Sequence, residues 1–165
     1  MTTREEYAKQ TLEDRLARMA RTPDELAEAT HGHTDAVLSR RPDGKNWAAT
    51  EVICHLRDVE EVFLIRLESI VINDELKVYA NPSMVERWAE ERQYLKNDAG
   101  AALAAFRRRR EDTLAFMKKR TPAEIERACV HPTAGRMTMN DIITLLASHD
   151  DNHLDQLKRA IEGRA

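Results

Sequence analysis

Glycine and proline are scarce, at five each in 165 residues. So few chain breakers exclude a fold of many short strands and tight turns, and favour long helices. The basic excess of a nucleic-acid binder is missing as well: Lys and Arg number 26 against 29 Asp and Glu, a net charge of −3. Such a chain lacks the surplus cations that displace counterions from phosphates. Only two cysteines are present, Cys54 and Cys129. They form neither a disulfide framework nor a C-x-x-C metal clip and read as reduced thiols. No apolar run approaches the roughly 20 residues of a membrane span, and residues 1–20 are charged rather than signal-like, so a cytoplasmic protein with no membrane partner is expected.

What is present is 42% hydrophobic and 33% charged residues, enough apolar material for one soluble domain with a continuous core. Helical periodicity dominates. Residues Thr3 to Ala20 are helical in pattern through Leu12, Leu16 and Met19, and are treated as an N-terminal segment, 1–21, joined to or appended on a bundle domain, 22–165. Thr22-Pro23-Asp24-Glu25 reads as a capped helix start, with the helix running to about Ser39 through Leu26, Thr30, His33 and Val37. A loop with Pro42 and Gly44 follows. The second main helix is expected from about Trp47 to Ile72, carrying Val52, His55, Leu56, Val59, Phe63 and Ile70 on one face. A looser stretch, Asn73 to Pro82, precedes a helical piece near Met84 to Leu95. The third main helix spans about Ala99 to Lys119 through Leu103, Phe106, Leu114 and Met117. Thr121-Pro122-Ala123-Glu124 opens a short helical turn, and Val130 to Gly135 reads as a loop. Thr138 and Asp141 then start the last helix, whose stripe to Glu162 is Ile142, Leu146, His149, His153, Gln156 and Ala160. Four long amphipathic helices with modest loops give an all-α fold, a four-helix bundle with additional short helices.

Two histidines occupy stripe positions where apolar residues otherwise stand. His149 and His153, spaced i, i+4, project from one side of their helix and can share a metal ion. The spacing alone is weak, and two ordinary hydrogen-bonded histidines are the competing reading. Position tips the balance: these two and His55 all lie on faces directed into the bundle, where an unsatisfied imidazole is costly. One shared divalent ion satisfies all three and leaves a position open for water or substrate. Imidazole donors suit zinc first, with nickel or iron as alternatives.

Other polar residues are weighed beside them. Asp58, one turn after His55, is a candidate base or a group that orients a ligand ring, against an ordinary ion pair with a neighbouring arginine. Asp150, Asp151 and Asn152 lie between the two late histidines and could play a similar part. The order H-D-x-x-H invites comparison with H-E-x-x-H proteases, but aspartate is shorter and the third ligand lies far upstream. His131 is a loop residue at a possible pocket mouth. His31 and His33 form a poor chelate on a helix. Trp47 reads as a core anchor, Cys54 points away from His55, and Arg107 to Arg110, facing all round a helix, read as a solvated surface or a patch for an acidic partner.

The stretch Trp47-Ala48-Ala49-Thr50-Glu51-Val52-Ile53-Cys54-His55-Leu56-Arg57-Asp58, with the late His149-Asp150-Asp151-Asn152-His153-Leu154-Asp155-Gln156, resembles the DinB/YfiT-like superfamily. The resemblance extends over about Thr22 to Ile161, including the Thr-Pro start, the Arg-rich third helix and the His131-Pro132 loop with Gly135. It implies an up-down-down-up four-helix bundle, often a homodimer, whose three histidines hold a divalent metal; those positions match His55, His149 and His153. It also implies either thiol-dependent transferases and isomerases, with a low-molecular-weight thiol as cosubstrate, or metal-dependent hydrolases. The leading expectation is an enzyme that activates a thiol or water toward a small-molecule substrate. The alternative is a non-catalytic, metal-stabilised binding or dimerisation module.

Overall fold

The computed structural model describes residues 2–78 and 82–165, with side chains 82–86 left aside. Four long helices carry the fold: α2 (Leu12–Thr30), α4 (Ala49–Ile72), α6 (Ala99–Met117) and α8 (Met139–Ile161). Short elements decorate them: α1 (Arg4–Ala8), α3 (Asp35–Leu38), α5 (Pro82–Glu91), a 3-10 turn (Tyr94–Lys96) and α7 (Pro122–Ile125). Three strands, β1 (Leu76–Lys77), β2 (Ala128–His131) and β3 (Gly135–Thr138), form a small sheet in that order, β1 parallel and β3 antiparallel to β2.

Side-chain pairings fix the helix directions. Arg15 reaches Asn140 (2.6 Å) and Thr22 reaches Asp150 (2.6 Å), so α2 and α8 run parallel. Met19 and Asp24 meet Arg110 and Arg107 respectively, so α2 and α6 are antiparallel. The early residues of α4 pack with the early residues of α6, Ala49 to Leu56 against Ala99 to Phe106, and the late residues Leu67 and Ile70 share a second cluster with Met117, so α4 and α6 run parallel. The order is up-down-down-up.

Between the two apolar clusters lies one polar layer. Arg110, 1% exposed, donates to both oxygens of Glu60 (2.9 and 2.8 Å) and to both oxygens of Asp150, one of them at 3.0 Å. It also donates to the Met19 carbonyl (2.9 Å), while the Thr22 hydroxyl donates to Asp150. Each of the four long helices contributes a group, and burial makes every one of them depend on its partners.

This layer explains two departures from the sequence reading. Helix α2 does not start at Thr22; it starts at Leu12, capped by Thr11, whose hydroxyl accepts from the Asp14 N–H (3.1 Å), and runs straight through Pro23. A helical proline leaves the carbonyl four residues earlier without its donor. That carbonyl is Met19, and Arg110 supplies the missing hydrogen bond. The division between residues 21 and 22 therefore falls inside a helix. Tyr7 of α1 is buried and donates to Asp151 of α8 (2.7 Å), which ties the N-terminus to the bundle.

The arginine run is the second departure. Arg108 is exposed, Arg107 pairs with Asp24 (2.7 Å) and Arg109 with Glu61 (2.9 Å), but Arg110 lies one turn after buried Phe106 and points into the core. Two smaller differences concern chain ends. α2 stops at Thr30 rather than Ser39 because Gly32 adopts a left-handed φ of 76°, which leaves His33 in an exposed loop. Of the expected loop from Val130 to Gly135, Pro132 to Ala134 form the turn, while Val130 and His131 end β2 and Gly135 opens β3, strands too short for alternation to mark them. Of the looser stretch after Asn73, residues 79–81 lie outside the described residues, and the helical piece after it is α5 with the 3-10 turn.

Replacing Arg110 with methionine leaves Glu60 and Asp150 buried without their cation. The expected loss is about 3–5 kcal/mol in urea unfolding. A loss under about 1 kcal/mol, the range of an exposed pair, would show that the layer does not carry the bundle.

Candidate metal centre

Helix α4 is stabilised at its start by Glu51, which accepts from the Ala48 N–H (2.9 Å) and pairs with Arg41. One turn on, His55 turns toward α8. Thr138 caps α8, its hydroxyl accepting from the Asp141 N–H (3.0 Å), as the sequence indicated. His149 and His153 then stand one turn apart on the face that meets α4, flanking Asp150 of the buried layer. Two packed antiparallel helices thus bring together residues almost a hundred positions apart.

The three rings form one cluster. The Nε2 atoms of His55 and His149 are 3.1 Å apart, and one ring nitrogen from each histidine lies within 4.8 Å of the others. Two nitrogens bound to one zinc-like ion at about 2.0–2.1 Å each would stand roughly 3–3.5 Å apart, so the observed spacing fits a shared ion. Among the described residues, no cysteine, aspartate or glutamate joins the group. His55 is 5% exposed, and His149 and His153 are half-buried, leaving the cluster open on that side.

Burial sets the charge state. Desolvation, with repulsion from His153 and His149, pushes His55 down to about 2. Burial, then the neighbouring His153 and Arg110, holds His149 well below the usual histidine range, and burial also lowers His153. Neutral imidazoles with free lone pairs are the form a metal requires. Among the described residues the Nδ1 atoms of His55 and His149 have no partner, whereas Nδ1 of His153 faces Gln156 Oε1 at 2.8 Å. A proton on that Nδ1 donates to Gln156 and leaves the Nε2 lone pair for the cluster.

The sequence matches the DinB superfamily over residues 18–157. This chain belongs to the DinB superfamily. Among solved structures it is similar to YfiT from Bacillus subtilis, described as a probable metal-dependent hydrolase with an unusual four-helix bundle topology. The TM-score is 0.83 at 18% identity, covering 93% of this chain and 88% of that one, a likeness that shows the shared fold. A sequence comparison with curated proteins gives no match.

In this DinB superfamily chain the other sequence candidates lie elsewhere. Asp58 is 3% exposed and accepts from Arg57 (2.6 Å), Arg92 (2.6 Å), Tyr94 (2.8 Å) and Arg109 (3.4 Å); none of its hydrogen bonds reaches a histidine. Asp150 belongs to the Arg110 layer. Asp151 accepts from Tyr7 and from Arg18 (2.7 Å), and Asn152 is exposed. His31 and His33 are exposed in the loop after α2, and half-buried His131 ends β2. Cys54 is buried in the apolar core, its thiol pushed up to about 11 by burial, and Cys129 is buried and free.

Two neighbours of the cluster carry no site role in the sequence reading. Gln156 stands on the α8 stripe three residues after His153, within side-chain reach on a helix. Trp47, read as a core anchor, does pack on the core, and its ring also lies 5.0 Å from that of His55 and stacks on His153 at 6.4 Å. No spacing rule joins a residue before α4 to one on α8.

Burial alone would raise Asp58, but hydrogen bonds from Arg57, Arg92 and Tyr94 overcome it and hold the carboxyl at about 2. A depressed carboxyl stabilises the fold above its unfolded value, near pH 4, and that contribution disappears as pH falls through the folded value. Asp58→Asn should therefore flatten the decline of stability between about pH 4 and pH 2, as measured by denaturant unfolding at stepped pH. An unchanged acid limb would assign that decline to other carboxylates.

Proposed function

We propose that His55, His149 and His153 hold one divalent transition metal and that the protein is a metal-dependent enzyme, of hydrolase or thiol-dependent transferase and isomerase type. The observation that carries this reading is the convergence of three neutral imidazole donors with no acidic or thiolate group among the described residues to close the site. Structural zinc sites are normally completed by a fourth protein ligand, whereas catalytic ones keep a position open. A bound ion would supply Lewis acidity, lowering the pKa of a coordinated water or thiol toward neutrality.

The chain's own residues prepare the site. His55, His149 and His153 present uncharged donors because burial keeps protons off them. Gln156 fixes the ring of His153 through Nδ1. Trp47 walls one side with apolar surface and limits water around the rings. Asp58 is engaged by three arginines and Tyr94, so it acts on the site through the packing of α4 rather than as a base. Zinc suits the donor set best, with nickel or iron next. The likeness to YfiT supports hydrolysis, while a small intracellular thiol is the alternative occupant of the open position; a homodimer in the cytoplasm completes the proposal.

Elemental analysis of untagged protein tests the reading, with His55→Ala, His149→Ala and His153→Ala combined as the control. About one transition metal per chain is expected in the parent and none in the control. Turnover of small esters and amides by the loaded protein in the absence of thiol marks a hydrolase; turnover only with an added thiol marks a transferase. Failure of the parent to retain or take up metal would sink the proposal.

A further inference from the structure

The stripe of α8 that carries His149 and His153 continues past them. Gln156 follows His153 by three residues and Ala160 by seven, so Ala160 shares its face, roughly 10 Å further along the axis. The small side chain of Ala160 leaves room there. A cavity of about 40 Å³ is walled by Asn46 and Trp47, which precede α4, and by Gln156, Arg159, Ala160 and Arg164. That is space for about three waters, or for one carboxylate group. Two of the walls also touch the histidine cluster. The Trp47 ring lies 5.0 Å from that of His55 and stacks on His153, and Gln156 Oε1 faces His153 Nδ1.

The charge around this cavity is one-sided. Two guanidinium groups line it, and among the described residues no aspartate or glutamate side chain does. Arg164 is exposed and pairs with Glu162. Arg159 is half-buried and less completely engaged. Its Nη1 donates to the Ala165 carbonyl at 3.2 Å, and Asp155 lies 3.0 Å from its Nε as an ion partner, yet that buried Nε–H has no aligned acceptor among the described residues. Gln156 adds a neutral donor: with Oε1 turned to His153, its NH2 is what remains for the cavity. Buried donors without acceptors are costly, and a carboxylate supplies lone pairs on two oxygens.

We propose that this cavity binds a carboxylate carried by the molecule that engages the histidine cluster, with Arg159 as the charged donor and the Gln156 amide as the second. The assignment rests on the metal-site reading above and narrows its substrate class to small carboxylic acids. Gln156 joins the two parts, its oxygen to His153 and its nitrogen to the carboxylate.

Full-length protein is titrated with propionate and, separately, with neutral propionamide at constant ionic strength, following the NMR signals of the Gln156 side-chain NH2 and the Arg159 Nε–H. A saturable shift with propionate alone is expected. Arg159→Met should abolish the Gln156 shift, and so should Ala160→Leu, which fills the cavity and leaves both donors in place; thermal unfolding shows that each variant is folded. Cobalt(II)-loaded protein is then titrated with mercaptohexanoate and mercaptohexanamide, whose thiolates give a charge-transfer band on the metal. The acid should bind about tenfold more tightly, a preference that Arg159→Met removes. No saturable shift with propionate, an equal one with propionamide, or one that survives in Arg159→Met overturns the proposal, as do equal affinities of the two thiols. A parent that takes up no metal yet responds to propionate sinks the enzyme reading instead and leaves the carboxylate site standing.

Discussion

One buried cation sets the register of the four long helices. Arg110 of α6 is held by Glu60 of α4, Asp150 of α8 and the Met19 carbonyl of α2, all within the core. Apolar contacts alone would tolerate sliding of one helix along another, because hydrophobic burial is not directional. A guanidinium with fixed donor directions does not. Asp150 lies between the two late histidines and Glu60 follows His55 by little more than a turn, so the interaction that aligns the helices also sets how closely their imidazoles approach.

The bundle thereby separates two electrostatic environments that adjoin each other. The Arg110 layer is charged and fully hydrogen-bonded. The histidine cluster beside it is kept neutral by desolvation, and among the described residues no carboxylate joins it. Were a cation bound there, as proposed, neutral donors would leave its charge uncancelled, and its field would act on any further ligand. Trp47 adds an apolar wall on one side, lowering the local polarity further.

The parts of this arrangement visible in the sequence are those that depend on local spacing. Helices α4, α6 and α8 lie within about two residues of their expected bounds because capping signals and apolar stripes act within a few positions. His149 and His153 were conspicuous because they interrupt such a stripe, and His55 because it lies on the buried face of α4; the structure brings all three together. What was illegible depends on distant partners. Pro23 looked like a helix start because the donor that lets the helix continue comes from residue 110. Arg110 was hidden in a run of four arginines, although its place one turn after Phe106 set it on the buried side. The surroundings of Asp58 include Arg92 and Tyr94, more than thirty residues away, and no local pattern reports them.

Pro23 shows how far this dependence reaches. By lacking an N–H it leaves the Met19 carbonyl available, and Arg110 occupies that vacancy. An alanine at position 23 would restore a local donor, and the carbonyl would then be shared between the helix and the arginine. Positions 23 and 110 are therefore not independent sites of variation: the environment of the central charge is adjusted by an uncharged residue on another helix, through a hydrogen bond that residue is unable to make.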